Sequence, residues 1–184
     1  ATKGIDPQTN RLLSDVVTDI YGENVAMAVL SGPSFAREVA LAEPTAVSLA
    51  GNDACFLDRL VQRFHSHHFR VYQNADLVGV QLCGVMKNIL AIAVGVADGM
   101  GLGANSRAAL ITRGMSEMAR LCDALGAERE TLMSLAGMGD VVLTCTDNQS
   151  RNRRFGVALG QGKALQQIYT DIGQEVEGAH NVVQ

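Results

Sequence analysis

The stretch from Leu77 to Ala97 limits what this chain can become more than any other feature. It is apolar for about the length that crosses a bilayer, roughly 20 residues, yet Gln81, Lys87 and Asn88 lie near its middle. A charge at that depth costs about 2.5–3.5 kcal/mol on insertion scales, and no aromatic belt flanks the stretch. It is therefore read as a buried helix of a globular fold, from about Asp76 to Val96, rather than as an integral membrane segment. It also divides the chain. Before it, short β-branched or apolar runs alternate with helical stretches, the pattern of α/β layering. After it, strand signals vanish and apolar segments of helical length take over, with glycine-rich joints.

In the first part, strands are predicted over Val25–Leu30, Thr45–Ala50 and Phe69–Tyr72, with helices over Thr9–Tyr21, Ser34–Leu41 and Asp53–His65. Asp53 is a plausible N-cap. In the second, further helices are predicted over Asn105–Leu125, Arg129–Leu135 and Asn152–Gln161. No repeat or low-complexity tract interrupts this order. The chain opens without a secretion leader, and the lack of an initiator Met points to a truncated sequence.

A formal net charge of -4 gives no general attraction to nucleic acid. Cys55, Cys83, Cys122 and Cys145 are scattered without paired spacing, which suggests neither a zinc site nor a disulfide framework and fits a reducing cytoplasm. His65, His67 and His68 crowd one helix end without carboxylate or cysteine partners at ligand spacing, so no metal site is expected. Gly99, Gly101 and Gly103 follow no strand. They are read as a helix–helix joint rather than a dinucleotide fingerprint.

Five groups of residues could carry chemistry. Lys87 lies among Val85, Met86, Ile89 and Leu90, whose burial would lower its pKa toward the range where an ammonium acts as acid or base. From position alone, a lysine snorkelling off a helix edge is the simpler reading, and an interhelical hydrogen bond is the simpler reading of Asn88. Asp140, in Gly137-Met138-Gly139-Asp140, follows what reads as a mobile, open turn and could either cap a helix or pair with a buried ammonium. Thr146 to Arg154 runs capping residues into three arginines at a predicted helix start, where backbone N–H groups and guanidinium forks both suit phosphate. Ser31-Gly32-Pro33-Ser34 occupies a strand-to-helix turn of the kind that binds ligands in α/β sheets. Lys3 precedes a glycine and would ordinarily be an exposed terminal lysine.

Taken in order, Ala1-Thr2-Lys3-Gly4, Ser31 to Ala36, Gln81 to Asn88, Gly137 to Thr144 and Asn148 to Arg154 resemble bacterial NAD(P)-dependent glycerol-3-phosphate dehydrogenase. The resemblance implies the trailing part of a Rossmann-like doubly wound sheet domain over residues 1–76 and an all-helical, truncated substrate domain over 77–184. It implies reversible reduction of dihydroxyacetone phosphate to glycerol 3-phosphate with NAD(P)H, feeding glycerophospholipid synthesis. Lys87 matches the proton-transfer lysine, Lys3 a second active-site lysine near substrate and cofactor, and Asp140 the carboxylate that organises both; Asn88 joins that network. Ser150, Arg151 and Asn152 match the substrate-phosphate site, and Gly32 and Ser34 match further substrate contacts. Ala36, Arg151 and Glu177 match cofactor contacts. Glu175 stands where a smaller apolar residue is expected.

The family's glycine-rich nucleotide loop and the last helices of its substrate domain fall outside the chain, so the isolated fragment is expected to be inactive. A homodimer is the expected assembly at full length. One alternative is a β-hydroxyacid dehydrogenase, but there an asparagine follows the lysine after a helical turn, where this chain has Leu90 and Ala91. The other is a non-catalytic helical binding module.

Overall fold

The structure, a computed structural model, describes residues 2–173 together with 176, 178 and 179. Among them the α/β part holds α1 (Leu13–Tyr21), β1 (Ala28–Ser31), α2 (Ala36–Ala40), β2 (Thr45–Gly51), α3 (Ala54–Phe64) and β3 (Phe69–Asn74). The helical part follows as α4 (Leu77–Gly99), α5 (Ala104–Ala124), α6 (Arg129–Leu132), a π-helical turn (Leu135–Gly139), α7 (Asp140–Thr146), α8 (Arg151–Gly160) and α9 (Leu165–Ile172). The sheet order is β1-β2-β3. It is mixed: β1 runs antiparallel to β2, pairing Ala28 with Gly51 and Ser31 with Ser48, while β3 is parallel to β2.

The central strand β2 is buried along nearly its whole length, as expected for a strand covered on both faces. Val47 and Leu49 pack with Leu57 of α3 and Val71 of β3 on one face, and Ala50 meets Val80 of α4 and Ala136 of the π-helical turn on the other. The start of α4 is thus laid against the sheet, and its remainder runs through the helical part.

α4 is long and apolar enough to cross a membrane by composition, but 72% of its most apolar window is buried by the rest of the fold. Its first half carries Gln81, Lys87 and Asn88, and Asp98 closes its second half, each with a partner. Asp76 caps it by accepting from Gly79 N at 2.7 Å. Gln81 ties it to α1, accepting from Ser14 N at 3.0 Å and donating to Ser14 Oγ at 2.9 Å. Its second half packs on α8 with glycines facing in both directions. A Cβ at Gly95 or Gly99 would collide with the carbonyl oxygen of Arg153 or Val157, and one at Gly156 or Gly160 with that of Ile92 or Val96. The two helices therefore meet backbone to backbone, which fixes the residues of α4 relative to the N-terminus of α8. Gly101, with φ +78, then turns the chain into α5.

Several sequence expectations shift. α1 begins at Leu13 rather than Thr9, because Asp6 folds the preceding residues into a turn: Thr9 N donates to its carboxylate and Asn10 N to its carbonyl, and Asn10 takes φ +57. β1 begins at Ala28 rather than Val25, because the Asn52 side chain, not a neighbouring strand, bonds Met27 N and Val25 O. The predicted helix over Arg129–Leu135 stops at Leu132. The stretch from Gly137 to Asp140 is not a mobile, open turn. It is π-helical and wedged so tightly that a Cβ at Gly137 would strike the Leu132 carbonyl, and it continues directly into α7. Neither α7 nor α9 was expected.

Candidate active site

Asp140 opens α7 and is fully buried, so its charge needs partners. It has two. Lys3 Nζ donates to Oδ2 and Lys87 Nζ to Oδ1, each at 2.8 Å. Thr144, one turn later on α7, accepts from Lys87 Nζ at 3.2 Å and donates to Asp140 Oδ1 at 3.3 Å. Lys87 does not snorkel; it is buried from mid-α4 to its tip. Lys3 is not a free terminal lysine either. Its stem lies across α4 at Gly84, where a Cβ would come within 3.3 Å of its Cγ.

This arrangement acts on Lys87. Burial lowers its pKa and the neighbouring Lys3 charge lowers it further, while Asp140 opposes both; the result is a fall from the ordinary 10.5 to about 8. A lysine so placed can give up a proton near physiological pH.

Asn88, next to Lys87, accepts from Asn152 Nδ2 at 2.9 Å, so the interhelical hydrogen bond expected as its simpler role is present. Asn152 Oδ1 in turn accepts from Gly178 N at 2.9 Å. The α8 N-terminus is capped by Ser150, whose Oγ accepts from Arg153 N at 3.2 Å. The three arginines there divide. Arg153 turns inward to Asp98 at 2.5 Å and to Asn148, and Asp98 is also gripped by Arg107 of α5 at 2.9 Å. Burial alone would raise the Asp98 carboxyl, but hydrogen bonds from the two arginines prevail and hold it below the ordinary value. Arg153 thus anchors α8, whereas Arg151 and Arg154 face a cleft.

That cleft has a volume of about 620 Å³. Of the residues singled out in the sequence, Lys3, Ser34, Ala36, Lys87, Asn88, Ser150, Arg151 and Asn152 line it, while Asp140 lies behind the two lysines. Gly32 is not in the lining. It turns the chain at φ +139 with its Cα face against Val47, and Ser34 Oγ donates to its carbonyl at 3.1 Å. Glu175 and Glu177 lie outside the described residues. Sequence reasoning missed Thr144, whose only signal was its spacing of four from Asp140, and the wall formed by Leu30 and Phe35. It also missed Gln149, whose side chain bonds Glu38 of α2 at 2.8 Å across the cleft mouth.

Chemically, the cleft joins a lysine able to give up a proton, a helix N-terminus of the kind that suits an anion and a cationic lining without Asp or Glu among the described residues. Among the described residues, no three His, Cys, Asp or Glu side chains are grouped to hold a metal ion. Cys83 and Cys145 are buried thiols pushed up to about 12 by burial, which makes them inert at neutral pH.

Comparison with known proteins gives a consistent result. The family model for the NAD-dependent glycerol-3-phosphate dehydrogenase N-terminus matches residues 1–56, and that for the C-terminus matches 76–184. Glycerol-3-phosphate dehydrogenase [NAD(P)+] of Haemophilus ducreyi is 59% identical over 98% of the chain and 54% of its own length; that of Vibrio cholerae is also 59% identical, over 98% and 53%. The chain therefore spans about half the length of these relatives. The crystal structure of glycerol-3-phosphate dehydrogenase from Coxiella burnetii superposes with a TM-score of 0.97 at 56% identity, covering 100% of this chain and 56% of that one. The Saccharomyces cerevisiae structure gives 0.84 at 26% identity, over 97% and 54%.

Proposed function

This chain belongs to the NAD-dependent glycerol-3-phosphate dehydrogenase family, and we propose that its cleft is the substrate half of an oxidoreductase site that interconverts dihydroxyacetone phosphate and glycerol 3-phosphate. The observation that carries this reading is the bridging of Lys3 and Lys87 by one buried carboxylate beside a helix N-terminus bearing Arg151. In the reduction, the Lys87 ammonium gives its proton to the carbonyl oxygen of the substrate and stabilises the alkoxide as it forms. In the oxidation, the neutral amine takes that proton back. Asp140 and Thr144 aim the amine, and Lys3 adds positive charge beside the reacting oxygen. Asn88 and Asn152, bonded to each other, join this network to the phosphate end. Ser150, Arg151 and Asn152 hold the phosphate at the start of α8, with Ser34 in the same lining and Gly32 setting the turn that places it.

NAD(P)H fits this cleft because the apolar wall of Leu30, Phe35 and Ala36 faces the cationic lining, which suits a flat ring carried on phosphates. When bound, it supplies the hydride. Ala36, Lys3, Arg151 and Glu177 would hold it, together with a glycine loop that the chain does not contain. We further infer that residues 1–76 belong to the nucleotide domain and 77–184 to the substrate domain. At full length, a cytoplasmic homodimer serving glycerophospholipid synthesis is the reading that fits this family.

Arg151 gives the test. In a chimera where residues 1–184 replace the matching half of the Vibrio cholerae relative, Arg151→Gln should weaken glycerol 3-phosphate binding by roughly ten- to a hundredfold, the worth of a charge-assisted hydrogen bond. Isothermal titration with glycerol 3-phosphate and with glycerol measures it. Equal affinity for the two ligands in the parent chimera would sink the phosphate reading.

A further inference from the structure

The arginines of this chain are nearly all spoken for. Among the described residues, Arg11, Arg107, Arg113, Arg120, Arg129 and Arg153 form ion pairs with carboxylates, Arg70 bonds His65 and Arg59 covers the Phe56 ring. Arg151, already placed in the phosphate site, has an interaction of its own. Of the three that remain without a partner, Arg37, Arg63 and Arg154, two line the same cleft. Both are exposed, Arg37 on α2 and Arg154 on the first turn of α8, so two helices each bring one arginine to the rim of the same cleft. The acid next to Arg37 makes no ion pair with it; the Glu38 carboxylate accepts from the Gln149 amide, which leaves one negative charge beside the arginines. On a chain whose formal net charge is -4, a cleft whose described lining carries Lys3, Lys87 and three arginines and no Asp or Glu, with Glu38 the carboxylate bonded beside it, is a local reversal of field.

We propose that Arg37 and Arg154 form an outer capture site for a small phosphate monoester dianion, which speeds its entry and passes it to the α8 N-terminus without taking part in the reaction. This rests on the dehydrogenase reading above. Unpaired surface charges at the mouth of a cleft raise the encounter rate of an oppositely charged ligand, commonly by ten- to a thousandfold, and salt screens the effect. Forks without internal partners have no ion pair to break on meeting a phosphate, and releasing it again rebuilds none. The tighter site lies deeper, at Ser150 and Arg151.

The test compares the parent chimera with R37Q/R154Q and R37K/R154K, measuring kcat and kcat/KM for dihydroxyacetone phosphate at saturating NADH, and for NADH at saturating dihydroxyacetone phosphate, from low to high salt. The expected result for R37Q/R154Q is a loss of about tenfold in kcat/KM for the phosphate substrate at low salt, a flattened salt dependence and a kcat that holds. The lysine pair should restore most of the loss. Unchanged kcat/KM, a loss confined to NADH, or a fall in kcat of the same size would each overturn the proposal while leaving the dehydrogenase reading intact. A folded parent chimera with no turnover of dihydroxyacetone phosphate would overturn both. Both side chains are exposed, so the variants should fold, and a thermal melt within a few degrees of the parent confirms it.

Discussion

Lys87→Met is expected to cut kcat for dihydroxyacetone phosphate reduction by roughly 10²–10⁴ with little change in KM, the signature of losing a proton donor that acts only in the transition state. The same change should barely disturb the fold. Met is close to Lys in shape, and removing this ammonium leaves Asp140 with Lys3 at 2.8 Å, a neutral pair in place of two cations around one anion. Because Asp140 keeps Lys3, the variant strands no buried charge and avoids the roughly 3–5 kcal/mol that such stranding commonly costs. Denaturation of parent and variant chimeras checks this, and a strongly destabilised variant would reassign Lys87 from chemistry to architecture.

The pH dependence follows from the lowered pKa. Reduction needs the protonated amine, so kcat/KM for dihydroxyacetone phosphate should fall as pH rises through about 8. The stability effect has the opposite slope. Between about 8 and the ordinary 10.5 the unfolded chain holds this proton more tightly than the folded one, so this group makes stability rise with pH across that window. Lys87→Met should erase both features.

Asp140→Asn should be the most destabilising single change at the site. It leaves two ammonium groups converging on a neutral amide inside the protein, and breaking a buried pair from one side commonly costs about 3–5 kcal/mol. Adding Lys87→Met should recover much of that loss, because Lys3 alone, the more exposed of the two, can turn toward the cleft. Chemical denaturation of the single and double variants reads this as a coupling. Additive losses would mean that Asp140 is held for some reason other than the lysines.

Much of this architecture could be read from local pattern. The three strands and the long central helix announced themselves through period and composition, and Asp53 does cap α3, accepting from Phe56 N at 2.6 Å. What escaped depends on contacts distant in sequence. Asn52 ends the β1 ladder from a later turn, and nothing near Val25 signals it. Gly137 reads as a flexible joint by composition, yet it is glycine because Leu132 leaves no room. Gly95, Gly99, Gly156 and Gly160 look unremarkable singly and become a packing seam only when α4 and α8 are placed together. The site divides in the same way. Lys87 drew notice because a charge inside an apolar helix is costly, and Arg151 because it stands at a helix start. Lys3 and Asp140 are separated by most of the chain, and only the family resemblance linked them before the fold brought them within 2.8 Å of each other. Thr144 stayed hidden because α7, short and rich in β-branched residues, did not read as a helix.

The most direct test of the central claim follows NADH and NADPH oxidation by the chimera with dihydroxyacetone phosphate and, in parallel, with unphosphorylated dihydroxyacetone. The cleft described here predicts turnover of the phosphate ester and a kcat/KM lower by orders of magnitude for the free triose, since remote phosphate binding supplies the orientation that the proton transfer needs. Equal turnover of the two, or none from a folded chimera, would contradict it.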